Sequence, residues 1–136
     1  MLIQGHTQCI FLGYQRDYLK NASSNGVKFI NVSPLKSDLE TVNEVEWISI
    51  KPNTDVALML ALCYEIYKSG ATDRKFIDKY TVGFKKFTKY LNGDTDGVIK
   101  NAEWASQITG LSSDAIFDLI KEIKESKRTM ISISWS

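Results

Sequence analysis

A strand that meets a proline and then runs straight into an apolar helix is the feature that most restricts this chain. Residues 46–50 (EWISI) read as a strand, with Trp47 as its apolar anchor. Pro52 has no backbone N–H to give to a ladder, so the strand cannot pass it. Thr54 and Asp55 are residue types that accept hydrogen bonds from the first free N–H groups of a helix. Val56, Leu58, Met59, Leu62, Cys63, Ile66 and Tyr67 then recur at helical spacing to Lys68, with Gly70 just beyond.

The same rhythm precedes it. Residues 9–14 (CIFLGY) form a short apolar run closed by a glycine, which predicts a buried strand. Residues 16–24 are polar, with Tyr18, Leu19 and Ala22 at helical spacing, and Asn25-Gly26 stops that helix. Residues 27–32 (VKFINV) predict a second strand ended by Ser33-Pro34, and residues 37–43 one or two helical turns. Strand, helix, strand, short helix, strand argues for a parallel sheet with right-handed crossovers. The fold class expected is α/β: a three-layer, Rossmann-like domain with a mainly parallel sheet flanked by helices.

The second half reads as helices. Thr72-Asp73 caps one that carries Phe76, Ile77 and Tyr80, and residues 81–91 carry Val82, Phe84, Phe87 and Tyr90. Residues 92–97 (NGDTDG) are a turn cluster. A short helix follows over residues 102–108 around Trp104. Ser112 caps residues 115–125, where Ile116, Leu119, Ile120 and Ile123 face inward. Residues 129–135 (TMISISW) read as a last strand, and a chain that stops at a core strand reads as truncated. Without repeat, low-complexity segment or linker, residues 1–136 are expected to form a single domain.

Bulk properties narrow the function. A chain of 136 residues with 43% hydrophobic and 24% charged residues suits one soluble globular domain. A net charge of +1 gives no pull toward nucleic acid or an anionic membrane. The longest apolar runs, such as residues 56–63, are far too short to span a bilayer. Met1-Leu2-Ile3-Gln4-Gly5-His6 lacks the basic start and apolar stretch of a signal peptide. Cys9 and Cys63 are isolated, so buried free thiols are expected, with no disulfide framework. His6, the sole histidine, reads as exposed and inert. No phosphate loop, dinucleotide glycine motif, or Ser–His or Cys–His set is present, so no catalytic or metal-ligating residue is assigned.

Five segments, in order, carry a resemblance: 26–34 (GVKFINVSP), 46–60 (EWISIKPNTDVALML), 73–91 (DRKFIDKYTVGFKKFTKYL), 92–104 (NGDTDGVIKNAEW) and 127–136 (KRTMISISWS). Together they resemble the molybdopterin-guanine-dinucleotide oxidoreductases that reduce S- and N-oxides, namely the dimethyl sulfoxide, trimethylamine N-oxide and biotin sulfoxide reductases. The chain departs from them at Ser33-Pro34, where they have Asp-Pro, and at Ser37-Asp38-Leu39, where they have Thr-x-Thr. Ser134 replaces a glycine, and Tyr14-Gln15 replaces Asn/Asp-Pro ahead of a shortened loop.

The resemblance implies a fragment, one cofactor-binding domain of a much longer molybdenum oxidoreductase. The parent would carry molybdenum bis(molybdopterin guanine dinucleotide) and reduce an S- or N-oxide by oxygen-atom transfer. The fragment alone is expected to bind no cofactor and to be inactive. Its partners would be the remaining domains of the parent, with self-association through an exposed interdomain face. No nucleic-acid partner or membrane insertion is implied, and the bacterial parent would be periplasmic or cytoplasmic. The alternative is a non-catalytic, stand-alone α/β module or truncated remnant, favoured by Ser33 and the shortened loop.

In an open parallel sheet, ligands bind beyond the carboxyl ends of the strands. Residues 33–38 and 51–55 are the two loops at such ends. An Asp can accept from guanine N1–H and its exocyclic amine, Ser, Thr and Asn can bond ribose hydroxyls, and a Lys can meet a phosphate. By resemblance these loops hold the guanosine end of the cofactor, which makes Ser33, Lys36, Ser37, Asn53, Thr54 and Asp55 the candidate cofactor-binding residues. Asp55 is the expected guanine or ribose contact. The plainer reading is that Thr54 and Asp55 cap a helix, and that Ser33-Pro34 is a turn beside an exposed lysine. Asp94 and Asp96 read as turn residues, since the closing Glu of a calcium loop is missing. Phe76, Tyr80, Phe84, Phe87 and Tyr90 read as core or interdomain packing.

Overall fold

The computed structural model describes residues 2–5, 13–36 and 45–133. In chain order the elements are β1 (Leu2–Gly5), α1 (Gly13–Ser24), β2 (Phe29–Val32), β3 (Val45–Ile48), α2 (Asp55–Lys68), α3 (Arg74–Tyr80), α4 (Phe84–Leu91), α5 (Ala102–Thr109), α6 (Ser113–Glu125) and β4 (Met130–Ser132). They group into two compact units, Met1–Pro52 with Glu125–Ser136, and Asn53–Lys124.

The first unit is an α/β arrangement on a four-stranded sheet of order β3-β2-β1-β4. Every pairing is parallel, with β2 set against β1 from Leu2↔Phe29 to Gly5↔Val32 and against β3 from Phe29↔Val45 to Val32↔Ile48. All four residues of β2 are buried. A strand covered on both faces needs an unbroken buried run rather than alternation, and FINV supplies one. Phe29 packs against Leu19 and Ala22 of α1, and against Val27 and Val45. The end of α1 is set by Gly26, at φ 80. There Gly26 N–H donates to Ser23 O and Val27 N–H to Ala22 O, closing the helix so that Val27 can turn back toward the sheet.

Several boundaries differ from the sequence reading. Gly13 and Tyr14 do not close a strand but open α1, and residues 9–12 lie outside the described residues. The N-terminal strand is β1, whose LIQG sequence has no strand-like alternation. The third strand occupies Val45–Ile48 instead of 46–50, because pairing with β2 fixes its ends. The helical turns expected over residues 37–43, the end of the last strand, His6 and Cys9 also fall outside the described residues.

The second unit is helical. Leu58 is buried in α2 and Thr109 in α5, together with Ala57 and Ala61 of α2 and Ala102 and Ala105 of α5. The four alanines let the two helix backbones approach. Glu65 of α2 accepts the Ala102 N–H at 3.1 Å, satisfying a free donor at the start of α5. Tyr67 of α2 meets Phe84 of α4 edge to face, with ring centroids 6.0 Å apart. Caps fall where the sequence spacing predicts: Asp73 accepts from Phe76 N–H, and Ser112 from Ala115 N–H. Asn101 caps α5 by accepting from Trp104 N–H.

Three expectations in this unit fail for tertiary reasons. Val82 is fully exposed between α3 and α4, because Gly83 rather than Thr81 opens α4. Phe76 and Tyr80 meet at a tilt, ring centroids 4.9 Å apart, and stay more than half exposed, so of core or interdomain packing only the core half of that expectation fails. Cys63 is an exposed thiol, not a buried one. It stands on the outer side of α2, although partial desolvation there still raises its pKa above the ordinary value. Among the described residues no helix is long and apolar enough to cross a membrane.

The loop between α4 and α5 is fastened by a buried cation. Lys100 is 2% exposed. Its Nζ donates to Asp96 Oδ2 at 2.7 Å and to Val98 O, and lies 4.5 Å from the Tyr90 ring centre and 5.5 Å from that of Trp104. A charge is tolerated at such depth only when paired and hydrogen-bonded, and the aromatic faces add cation–π attraction. The Lys100 hydrogen bond, helped by Val98 N–H, holds the Asp96 carboxyl below its ordinary 3.8. A carboxyl with a depressed folded-state pKa stabilises the fold above the unfolded-state value, and that stabilisation fades as pH falls through the lowered one. The contribution is therefore constant at neutral pH and declines below about pH 4. In urea titrations, wild type should lose more stability between pH 7 and pH 3 than Asp96→Asn does; equal losses would remove Asp96 from the acid response.

Candidate functional site

The loop after β2 is built by the sheet. Ser33 is completely buried. Its N–H donates to Ile48 O at 3.2 Å, extending the β2–β3 ladder by one bond. Its Oγ accepts from Leu35 N–H at 3.1 Å, and its C=O accepts from Trp47 Nε1–H at 2.9 Å. The serine is thus the hinge of a tight side-chain turn, sealed by an indole from β3. Lys36 is exposed beyond it, and Ser37 lies outside the described residues.

The segment after β3 is more open. Asn53 is exposed and takes the left-handed conformation at φ 63, the one non-glycine residue at positive φ among the described residues. Asparagine tolerates that region better than other side chains, so Pro52-Asn53 is a sharp turn made from suitable residues. Thr54 is the N-cap of α2, yet makes no side-chain cap bond. Its carbonyl accepts from Ala57 N–H at 3.0 Å and from Leu58 N–H at 3.4 Å. Asp55 is half-buried at the first helical position, where the positive end of the helix favours its carboxylate. The Thr54 hydroxyl therefore does not cap the helix, contrary to the plainer account of that residue.

Ser33 and Lys36 belong to the first unit, whereas Asn53, Thr54 and Asp55 open the second. Each group is a polar turn at the end of a parallel strand or the start of a helix. Among the described residues no cluster of histidine, cysteine or carboxylate could hold a metal ion. Sequence reasoning passed over Asn31, which is buried in β2 with its Nδ2 lacking a hydrogen-bond partner among the described residues. The available signal was an amide inside an apolar strand. It also missed the Trp47–Ser33 bond, which no local pattern announces.

No protein-family profile matches the chain. Individual relatives do. It is 46% identical over 119 residues to the biotin sulfoxide reductase of Cereibacter sphaeroides, a match covering 88% of this chain and 16% of that protein. It is 39% identical over 119 residues to the trimethylamine-N-oxide reductase of Haemophilus influenzae, covering 88% and 14%. With the dimethyl sulfoxide reductase DmsA of Escherichia coli it shares 37% over 132 residues, covering 87% and 16%. In fold it is similar to the acetylene hydratase of Pelobacter acetylenicus, at a TM-score of 0.76 over 99% of this chain and 18% of that one, with 20% identity. These relatives are molybdopterin oxidoreductases, and the chain matches a fragment of them. More narrowly, it matches one segment of the dimethyl sulfoxide, trimethylamine N-oxide and biotin sulfoxide reductases, and spans 14–16% of the length of these relatives.

The backbone of Asn53 gives a test of how this turn is held. Asn53→Gly should change the urea midpoint little, whereas Asn53→Ala should lose about 1 kcal/mol, the cost of a left-handed conformation for a residue with Cβ. Equal stability of the two variants would show that the turn does not depend on that conformation.

Proposed function

We propose that this chain is the part of an S- or N-oxide reductase that holds the guanosine end of a molybdopterin guanine dinucleotide. The observation that carries the reading is the 46% identity to a biotin sulfoxide reductase over 88% of the chain. In this reading the sheet and its helices form the Rossmann-like, three-layer frame of one domain in a longer enzyme. The Asp55 carboxylate accepts from guanine N1–H and the exocyclic amine. Asn53 and Thr54, on the same turn, take ribose hydroxyls. Ser33 contributes least, since its hydroxyl is buried and already accepts from Leu35 N–H.

The donors of this turn suit a guanosine: a half-buried carboxylate at a helix start and an exposed amide at a sharp bend. The chemistry the cofactor supplies when bound is two-electron reduction of an S- or N-oxide by oxygen-atom transfer. The residues of this chain position it, and none of them handles the transferred oxygen. Alone, the chain has no reductase activity, and the other domains of the parent and its small-molecule oxide are the partners.

A second reading is a stand-alone module that has kept the fold without the ligand. The observation favouring it is Ser33, which stands where these reductases have an aspartate and is consumed by its own turn. Guanine nucleotide binding separates the two. GDP at 100 times its dissociation constant should stabilise the chain by about 2.7 kcal/mol, visible as a raised melting temperature. Asp55→Ala should abolish that shift while leaving the unliganded melt within about 0.5 kcal/mol. A melt that never responds to GMP or GDP would decide for the module.

A further inference from the structure

We propose that α3 and the turn after it seat this chain against the remainder of a longer reductase polypeptide, on a surface that is apolar where it meets them and acidic around that point. The inference rests on the reading of the chain as part of such an enzyme. It adds where the contact lies and what chemistry it meets.

α3 is a helix without a core of its own. None of its seven residues is buried. Phe76 is 55% exposed, Tyr80 63%, and Val82, in the turn that follows, is bare. The Asp73 cap and the bond from Thr81 Oγ1–H to Ile77 O mark its ends. A helix this short nevertheless holds in water chiefly through tertiary packing. Its own unit gives it little, so the cover comes from outside. Phe76 and Tyr80 already meet one turn apart, and together present a single aromatic surface of the kind that anchors interfaces.

Charge selects the occupant. Residues 73–91 carry six basic side chains and two acidic ones, whereas the whole chain is only +1. Arg74, Lys75, Lys79, Lys85, Lys86 and Lys89 are all exposed, and among the described residues none of them enters an ion pair. Arg74 lies 5.2 Å from the Phe84 ring centre and Lys79 5.0 Å from that of Tyr80, so positive charge and aromatic surface are interleaved. A second copy docked through the same face would bring these cations against their own kind, and like charges across an interface repel. A facing surface with carboxylates around an apolar centre satisfies both features. The rest of a reductase is the source of such a surface: this chain spans 14–16% of the relatives it matches. Residues 73–91 are also one of the segments that carry the family likeness.

The test compares amide hydrogen exchange in two settings. One is the full 136-residue chain alone. The other is the biotin sulfoxide reductase of Cereibacter sphaeroides with its matching segment exchanged for this chain. Amides of residues 77–82 should exchange about tenfold more slowly in the reductase than in the chain alone. Val82→Lys, and Lys75→Glu combined with Lys79→Glu, should leave the melting temperature of the isolated chain unchanged, because these side chains are exposed there. Each should remove the added protection in the reductase, and Val82→Ile should keep it. Exchange equally fast in both settings, or protection that survives these changes, would overturn the proposal. So would dimerisation of the isolated chain, or its pelleting with phosphatidylserine vesicles, if Val82→Lys abolished it, since each names another occupant. A reductase that fails to fold around this chain would overturn the proposal together with the reading beneath it, whereas a missing GDP response would remove the guanosine assignment alone.

Discussion

The first unit depends on the burial of β2 on both faces. Phe29 and Ile30 leave water almost entirely, and each such side chain contributes about 1.5–3 kcal/mol. That burial obliges a neighbour on each side, and β1 and β3 supply it in parallel register. It also sets an amide inside the sheet at Asn31, whose Nδ2 has no hydrogen-bond partner among the described residues. The strand must finally release the chain without exposing its last backbone groups. The Ser33 turn, with Trp47 donating to its carbonyl, does this within two residues.

What the sequence revealed follows the range of the forces involved. The limits of α2, the caps at Asp73 and Ser112 and the closing glycine of α1 were legible because each depends on neighbours a few residues away. The first strand was not. In a parallel sheet a short strand is defined by partners far along the chain, and LIQG acquires its identity only from Phe29–Val32 and Met130–Ser132. The candidate site divides in the same way. Pro52-Asn53 announced a turn, and its left-handed asparagine is one. That Ser33 would be sealed beneath an indole depends on the β2–β3 register, which the sequence does not carry locally.

The segments that carry the family likeness are not all concerned with a cofactor. In NGDTDGVIKNAEW, Asp96, Lys100 and Trp104 are held together by an ion pair and a cation–π contact. A Cβ on Gly93 would come within 2.8 Å of the Val98 backbone, so that position has no room for a side chain. This stretch is a folding device, its polar and aromatic side chains spent on one another. In the polar turn at residues 53–55, by contrast, Thr54 makes no side-chain cap bond.

Glu65 reaches across to the first free amide of α5 from a position 37 residues earlier in the chain. The start of one helix is thereby completed by the body of another, and neither can unwind at that point without stripping a partner from its neighbour. Helices joined in this way open together rather than fraying singly, so α2 and the first turn of α5 form one cooperative unit, with amide protection rising and falling in step.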